Sequence, residues 1–211
     1  MRRKKSVLRE WIEVIFTAFF LYLIIVTFVI QSFHIPSSSM EPTLKIRDRL
    51  FACKFSYGLS LPFTDKKVFR RHPKRGDVIV FRYPGDPYRK LSIRLIAPAI
   101  RILTFKRINP DPHRDYIKRV IGLPGEVLEI REGKVYIDDR PLNEPYAFHT
   151  VEDLSFNHYG PLTVPSDSYF MMGDNREHSS DSRIWGFLER RHIKGKALFV
   201  YWPPNRMGII R

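Results

Sequence analysis

A serine and a lysine of this chain lie in segments that make them candidates for nucleophilic catalysis. Ser39 lies in the segment PSSSMEPTL, residues 36–44, shortly after an uncharged apolar run that ends at Ile30. An extended chain spans at most ~3.3–3.6 Å per residue, so Ser39 lies within about 30 Å of the end of that run. If the run enters a bilayer, Ser39 can act only on groups presented at the membrane surface.

A serine hydroxyl is a weak nucleophile until a nearby base takes its proton. The 7 histidines lie in no arrangement typical of a Ser-His-Asp triad, and the chain has neither a Gly-x-Ser-x-Gly nor a His-Glu-x-x-His motif. His178 is the one histidine in a motif-like stretch, and we interpret it as a surface or hydrogen-bonding residue. No spacing typical of a metal site is present, so we expect no metal or other cofactor.

Lysine is the other candidate base, and Lys118 lies in the strand-like segment DYIKRVIGLPG, residues 115–125. Alternation places Tyr116, Lys118 and Val120 on one face of that strand and the residues between them on the other. A lysine of ordinary pKa, ~10.4, is neutral in only about one molecule in 250 at pH ~8, but burial lowers that pKa. Lowering it to about 8 costs on the order of 3 kcal/mol, which a folded domain can supply. The alternative is a surface lysine whose stem covers apolar groups.

The composition limits the classes of protein to consider. The chain has 211 residues, which suits one domain plus a membrane segment. A formal net charge of +14 suits a protein that works beside anionic lipid headgroups. Nucleic-acid binding is not expected, because the sequence has no zinc-finger spacing, RNP-like motif or basic recognition helix. The single cysteine, Cys53, cannot form an internal disulfide, and we expect a packed apolar residue there.

Residues 14–30, VIFTAFFLYLIIVTFVI, carry no formal charge. Flanking apolar residues extend this run to the ~20 residues that a helix needs to cross a bilayer, and the basic residues before it place the N-terminus in the cytoplasm. We therefore predict a cytoplasmic N-terminus over residues 1–10, a transmembrane anchor over 11–32 and an extracytoplasmic domain over 33–211. A cleaved signal peptide is disfavoured, because its apolar core is shorter and ends at a small-x-small site.

The remainder of the chain has the pattern of a mostly β domain with irregular antiparallel sheets. Residues 76–81 predict a turn followed by a short buried strand. Residues 126–131 and 134–137 predict a hairpin closed by Glu132-Gly133. The apolar run 197–202 predicts a further strand. The sequence has no long amphipathic helix in this part and no internal repeat.

Residues 89–107 depart from the β pattern by mixing aliphatic with basic side chains. Their longest uncharged run is six residues, which is too short to cross a bilayer, and Pro98 would break or kink a helix. Such a mixture favours a segment lying in the plane of the lipid headgroups. A surface loop that packs its aliphatic residues onto the domain is the alternative.

Four segments occur in a fixed order after the apolar run. They are SxSMxPTL at residues 37–44, RGDVIVF at 75–81, YIKRVIGLPG at 116–125 and GDNRxxSxDSRxWG at 173–186. Together they resemble the conserved boxes of the bacterial type I signal peptidases, or leader peptidases, and KFSYG at 54–58 is also similar to that family. The resemblance covers about residues 33–202, and it implies a signal-peptidase-type β domain behind a single membrane helix.

The resemblance also implies roles for the matching residues. Ser39 would be the nucleophile that forms an acyl-enzyme, and Lys118 would be the general base. The Ser39 backbone N–H and the Ser37 hydroxyl would form the oxyanion hole, and Ser179 would orient the Lys118 ammonium. The supporting residues implied in this way are Asp174, Asn175, Asp181 and Arg183.

The substrate implied by the family is the signal peptide of a secreted preprotein, cut after a small-x-small site. Alanine would be preferred one and three residues before the cut, and the extended peptide would add to a strand edge beside Ser39. The implied location is the bacterial cytoplasmic membrane, crossed once. The implied partners are preproteins, the lipid bilayer and the secretion translocon, without nucleic acid.

Some features separate this chain from parts of the family. Its single apolar run argues against a two-span topology, residues 89–107 look like an insertion, and the region 135–169 is too short for the large extra domain of some members. Two alternatives remain open. One is a Ser-Lys processing peptidase with a narrower range of substrates. The other is an anchored interaction module without activity, and the presence of Ser37, Ser39 and Lys118 argues against it.

Overall fold

The computed structural model describes residues 7–24, 29–60, 67–68, 71–86, 93, 100, 104, 107–108, 112–148 and 157–211. The helices are α1 Val7–Ile24 and α2 Ser182–Trp185, and short 3-10 helices cover Lys54–Tyr57, Arg190–His192 and Pro204–Arg206. The strands are β1 Ile30–His34, β2 Arg49–Cys53, β3 Leu59–Ser60, β4 Lys67–Val68, β5 Val78–Arg82, β6 Asp115–Gly122, β7 Val127–Arg131, β8 Lys134–Ile137, β9 Arg140–Pro141, β10 His158–Thr163, β11 Ser168–Met172, β12 Leu188–Glu189, β13 Ile193–Trp202 and β14 Gly208–Ile209. The predicted interfacial segment 89–107 lies outside the described residues except for isolated positions, so it stays a prediction.

The larger of two main sheets carries both candidate catalytic residues. Its strand order is β1-β2-β13-β5-β6-β11-β12, with β14 paired to β13, and the neighbouring strands are antiparallel. The smaller sheet has the order β10-β7-β8-β9, and β3 pairs with β4. Lys118 lies on β6, and the loop that contains Ser39 follows β1 at the edge of the larger sheet. The mostly β, antiparallel fold is therefore confirmed.

β5 and the β7–β8 hairpin confirm two local predictions. All residues of β5 are buried, which explains its nearly uninterrupted apolar sequence. β7 and β8 pair in antiparallel register on either side of Glu132-Gly133. Glu132 and Gly133 have φ values of 50° and 74°, which is the backbone of a tight two-residue hairpin turn. The predicted strand at 197–202 is the second half of β13.

The predicted membrane anchor, residues 11–32, differs from the observed helix in its boundaries. α1 begins at Val7 and contains an exposed ion pair in which Arg9 Nε donates to Glu13 Oε1 at 3.2 Å. Among the described residues, no helix is both long enough and apolar enough to cross a membrane. Residues 30–32 belong to β1, because their backbones pair with β2. The predicted boundary is therefore wrong at its C-terminal end.

Apolar clusters on the larger sheet fix the loop that carries Ser39. Two of them lie on opposite sides of β5, because alternate residues of a strand face opposite ways. Met40 and Leu44, both fully buried, belong to the first of these clusters. A third cluster, which includes Ile121 and Leu128, joins residues of the two main sheets. Since Met40 directly follows Ser39, its burial holds the serine loop against the sheet.

Candidate active site

Ser39 and Lys118 are distant in sequence and in direct contact in the structure. Lys118 Nζ donates a hydrogen bond to Ser39 Oγ at 2.6 Å. The serine is placed by the buried side chain of Met40, and the lysine by its position on β6. Ser39 and Lys118 are only 6% and 4% exposed. The alternative of a surface lysine is therefore wrong.

Burial makes the Lys118 ammonium unusually acidic. It lowers the pKa of Lys118 from the ordinary 10.5 to about 8, because water no longer solvates the charged form. The carboxylates of Asp181 and Asp174 act in the opposite direction, and the Arg183 cation lowers the pKa further. The amine is therefore neutral in about half of the molecules near pH ~8.

A second hydroxyl lies beside the Ser39 side chain. The Oγ atoms of Ser37 and Ser39 are 3.4 Å apart, at the long end of hydrogen-bonding distance. Ser37 is exposed, whereas Ser39 is buried. The Ser37 hydroxyl can therefore donate to an oxygen atom that arrives from the solvent side while the Ser39 hydroxyl contacts the lysine.

The loop of residues 173–176, between β11 and α2, packs against the backbone of Ser39. The Asn175 N–H donates to the Ser39 carbonyl oxygen at 3.2 Å. A Cβ atom on Gly173 would lie 2.4 Å from the same carbonyl oxygen and 2.3 Å from Ser179 Oγ. Any side chain there would push the loop away from the serine, so this position requires glycine.

Ser179 has a buried side chain close to the same loop. Its Oγ atom has no hydrogen-bond partner among the described residues. The hydrogen bond from Lys118 that the family resemblance implies is therefore not formed in this structure. Buried hydroxyl groups nearly always have a partner, so Ser179 keeps an unused hydrogen-bonding capacity beside the site.

Asp174 pairs with the buried cation of Arg119, a residue with no role among those that the family resemblance implies. Arg119 Nε and Nη2 donate to the two Asp174 carboxylate oxygens at 2.8 and 2.6 Å, and both side chains are buried. Thr43 Oγ1 donates to Asp174 Oδ2 at 2.5 Å, which links the pair to the serine loop. Alternation places Arg119 on the face of β6 opposite to that of Lys118, and a buried arginine needs a carboxylate partner. The burial of Arg119 could not be read from the strand pattern, so no local signal predicts its pair with Asp174.

Asp181 and Arg183 form a second buried ion pair beside the 173–176 loop. Arg183 Nε donates to Asp181 Oδ1 and Arg183 Nη2 to Asp181 Oδ2, both at 2.9 Å. Asp181 Oδ2 also accepts the Gly173 N–H at 3.1 Å. Arg183 Nη2 donates to the carbonyl oxygen of Arg176 at 2.5 Å. The pair therefore ties the start of α2 to both ends of the loop that contacts the serine.

This geometry defines a class of chemistry. An amine that is partly neutral near pH 8 and lies 2.6 Å from a serine hydroxyl can take its proton. A second hydroxyl nearby can stabilise a developing oxyanion. Within the part of the chain that the structure describes, no group of His, Cys, Asp and Glu side chains could hold a metal ion. The arrangement contains the groups that a serine hydrolase with a lysine base requires.

The known proteins similar to this chain are signal peptidases. The family model described as "Signal peptidase, peptidase S26" matches residues 8–202. Signal peptidase I of Leptolyngbya laminosa is 38% identical over 203 residues, covering 96% of this chain and 84% of its own. Probable signal peptidase I-2 of Synechocystis sp. is 37% identical over 203 residues, covering 95% and 77%. A crystal structure of a signal peptidase I from Enterococcus faecalis V583 is 26% identical, covers 60% of this chain and 97% of its own, and gives a TM-score of 0.41.

The chain therefore belongs to the signal peptidase family, peptidase S26, and is a serine peptidase. The resemblance inferred from the four sequence segments is confirmed. The family match begins within α1 and ends with β13, so it includes every described strand except β14.

Proposed function

We propose that this chain is a membrane-bound serine endopeptidase that removes N-terminal signal peptides from secreted preproteins. Ser39 is the nucleophile, and Lys118 is its general base. The observation that carries the proposal is the 2.6 Å hydrogen bond between a buried lysine and a buried serine. The substrate class is taken from the relatives, which are named signal peptidase I.

In the first step, the neutral Lys118 amine takes the proton of Ser39 Oγ as this oxygen attacks the carbonyl carbon of the scissile bond. The Ser39 N–H and the Ser37 hydroxyl donate to the oxygen that becomes negative in the tetrahedral intermediate. The Lys118 ammonium then gives the proton to the leaving amine. The C–N bond breaks, the mature protein leaves, and an ester remains on Ser39.

Hydrolysis of this ester uses the same groups again. The neutral Lys118 amine takes a proton from water as the water oxygen attacks the ester carbonyl. When the second tetrahedral intermediate collapses, the Ser39 oxygen leaves and takes the proton back from the ammonium. The signal peptide departs with a new C-terminal carboxyl group.

Ser179 and the buried ion pairs assist these steps. While Lys118 carries the proton in each tetrahedral intermediate, Ser179 accepts a hydrogen bond from its ammonium, and this role suits a buried hydroxyl with no other partner among the described residues. The remaining supporting residues keep the 173–176 loop against the nucleophile, and they are Asp174, Asn175, Asp181 and Arg183.

The substrate binds as an extended chain added to a strand edge, so alternate side chains enter apolar depressions. These accept only small side chains, with alanine preferred one and three residues before the cut. The proposed edge suits the fold, because β1 is the edge strand of the larger sheet and ends at His34, shortly before Ser39.

An N-terminal anchor holds the active site at the bilayer surface. The anchor consists of the uncharged run from residue 14 up to the start of β1, and the basic residues before it keep the N-terminus in the cytoplasm. The domain that follows lies on the outer side of the bacterial cytoplasmic membrane. There it contacts the lipid bilayer and receives preproteins from the secretion translocon. A net charge of +14 suits contact with anionic headgroups.

Cleavage of a purified preprotein in detergent tests the proposal. Ser39→Ala removes the nucleophile and Lys118→Ala removes the base, so each variant should lower kcat/KM by roughly a thousand-fold or more. The Tm of each variant checks that it is folded. Cleavage by Ser39→Ala at the wild-type rate would exclude the mechanism, and a wild type inactive on every signal peptide would favour the anchored interaction module.

A further inference from the structure

Residues 144–148, which we call the strap, pair with the 173–176 loop through backbone hydrogen bonds. The Phe148 N–H donates to the Asp174 carbonyl oxygen at 2.7 Å, and the Arg176 N–H donates to the Phe148 carbonyl oxygen at 3.2 Å. The strap therefore contacts the same loop that holds the backbone of the proposed nucleophile.

Glu144 fixes one end of the strap through a buried ion pair with Arg176. Arg176 Nη1 and Nη2 donate to Glu144 Oε2 and Oε1 at 3.0 and 2.6 Å, and the two side chains are 4% and 8% exposed. Arg176 Nε also donates to the Gly173 carbonyl oxygen at 3.1 Å. Arg176 thus joins the last residue of the loop to its first, and Glu144 supplies the opposite charge.

Tyr146 connects this ion pair to the buried pair formed by Arg119 and Asp174. Its hydroxyl donates to Glu144 Oε1 at 3.2 Å, and its ring centroid lies 4.0 Å from Arg119 Cζ, a favourable cation–π contact. Arg119 holds the Asp174 carboxylate, which accepts the hydroxyl of Thr43 in the serine loop. An unbroken series of contacts therefore leads from the strap to the nucleophile.

We propose that Glu144 and Tyr146 are positioning residues for the Ser39–Lys118 pair and act through the 173–176 loop. This inference rests on the proposed function, because it concerns the alignment of the proposed nucleophile and base. Both residues lie outside the four segments that resemble the family's boxes. They hold the loop, the loop holds the Ser39 carbonyl, and the Ser39 hydroxyl is thereby kept at the distance that the lysine requires.

Two properties of the site should depend on the strap. The first is the rate, because moving the loop moves the Asn175 N–H that holds Ser39, and a displacement of ~1 Å can cost about 100-fold in rate. The second is the protonation of Lys118, which burial dominates. A loosened loop admits water to the site, and the pKa of Lys118 then moves back up toward its ordinary value.

Glu144→Gln tests the positioning role in the full chain in detergent, with kcat, KM, their pH dependence and Tm measured. The substitution keeps the side-chain volume and leaves the buried Arg176 without its counter-charge. We expect kcat to fall roughly ten-fold, KM to change by less than about two-fold, and the acid limb of the kcat/KM profile to move to higher pH. Tyr146→Phe removes one hydroxyl and should give the same changes at a smaller size, about three-fold in kcat.

Glu126→Gln is the control, because it removes the carboxylate charge of a different ion pair, one that is partly buried. Glu126 Oε1 accepts from Arg75 Nη2 at 2.5 Å, and Glu126 Oε2 accepts the Leu123 N–H at 2.7 Å. These hydrogen bonds do not involve the 173–176 loop. This variant should lower Tm while kcat and the acid limb stay at their wild-type values.

A lower Tm for Glu144→Gln with unchanged kcat and an unchanged acid limb would overturn the positioning role. If Glu144→Gln does not fold, Tyr146→Phe tests the positioning role through kcat and the acid limb of the kcat/KM profile. Wild-type values of both in Tyr146→Phe would overturn the positioning role. Ser39→Ala in the same series separates the two proposals. If it is inactive while Glu144→Gln cleaves normally, only the positioning role fails. If Ser39→Ala cleaves the preprotein at the wild-type rate, the proposed function is wrong, and the positioning role that rests on it is wrong too.

Discussion

At the scale of single residues, burial decides the chemistry of Lys118. Loss of hydration is the largest influence on the pKa of Lys118, and it outweighs the carboxylates of Asp181 and Asp174 that favour the ammonium. The sequence predicts a pKa near 8 once burial is assumed. The burial itself could not be read from the strand pattern, because the residue that packs on the amine, Ser39, lies 79 positions away.

Activity should rise with pH as Lys118 loses its proton. Its pKa of about 8 means that the amine is mostly protonated at lower pH and cannot accept the proton of Ser39. We expect kcat/KM to rise about ten-fold per unit below about pH 7 and to level above about pH 9. A preprotein cleavage assay across this range measures the profile. A rate that is flat from about pH 6 to about pH 10 would contradict a lysine base.

At the scale of elements, the turns were predictable and the contacts between distant loops were not. The β7–β8 hairpin is encoded by Glu132-Gly133 at the turn itself. The 173–176 loop could be recognised as a motif, but its pairing with Glu144 joins segments that no local pattern connects. The error at Ile30 has the same origin, because pairing with β2 turns the end of an apolar run into a strand.

Replacing Gly173 with alanine should lower kcat, because it displaces the 173–176 loop from Ser39. The added Cβ would lie 2.4 Å from the Ser39 carbonyl oxygen, so the loop and the serine must separate. We expect kcat to fall about 100-fold, measured with the preprotein assay. Gly208→Ala is the control, because a Cβ there meets no atom within 4 Å. Wild-type kcat in Gly173→Ala would show that the contact does not set the serine's position.

At the scale of the whole molecule, the site is assembled from separate parts of the chain around one sheet. Ser39 follows β1, Lys118 lies on β6, the 173–176 loop follows β11, and the strap follows β9 of the smaller sheet. The mostly β class could be predicted, because strand periodicity is local. The strand order could not, because β13 lies between β2 and β5, which are far earlier in the chain.

Residues 89–107 should strengthen contact with lipid. The test uses the domain that begins at β1, with and without residues 89–107. The deletion removes basic and aliphatic side chains together. Binding to liposomes that contain anionic lipid should weaken by about ten-fold or more, since each basic residue near such a surface contributes about 1 kcal/mol. Co-sedimentation measures the binding, and cleavage of a short peptide substrate controls for folding. Unchanged binding would reject the interfacial interpretation.

The edge strand β1 also has a mechanical consequence. Every residue of β1, from Ile30 to His34, pairs with a residue of β2. A pull along β1 on the chain before Ile30 therefore loads the β1–β2 ladder in shear, and its hydrogen bonds share that load before it reaches Ser39. Under the proposed anchoring, this ladder lies between a moving bilayer and the Ser39–Lys118 pair, so it helps to keep the two side chains aligned.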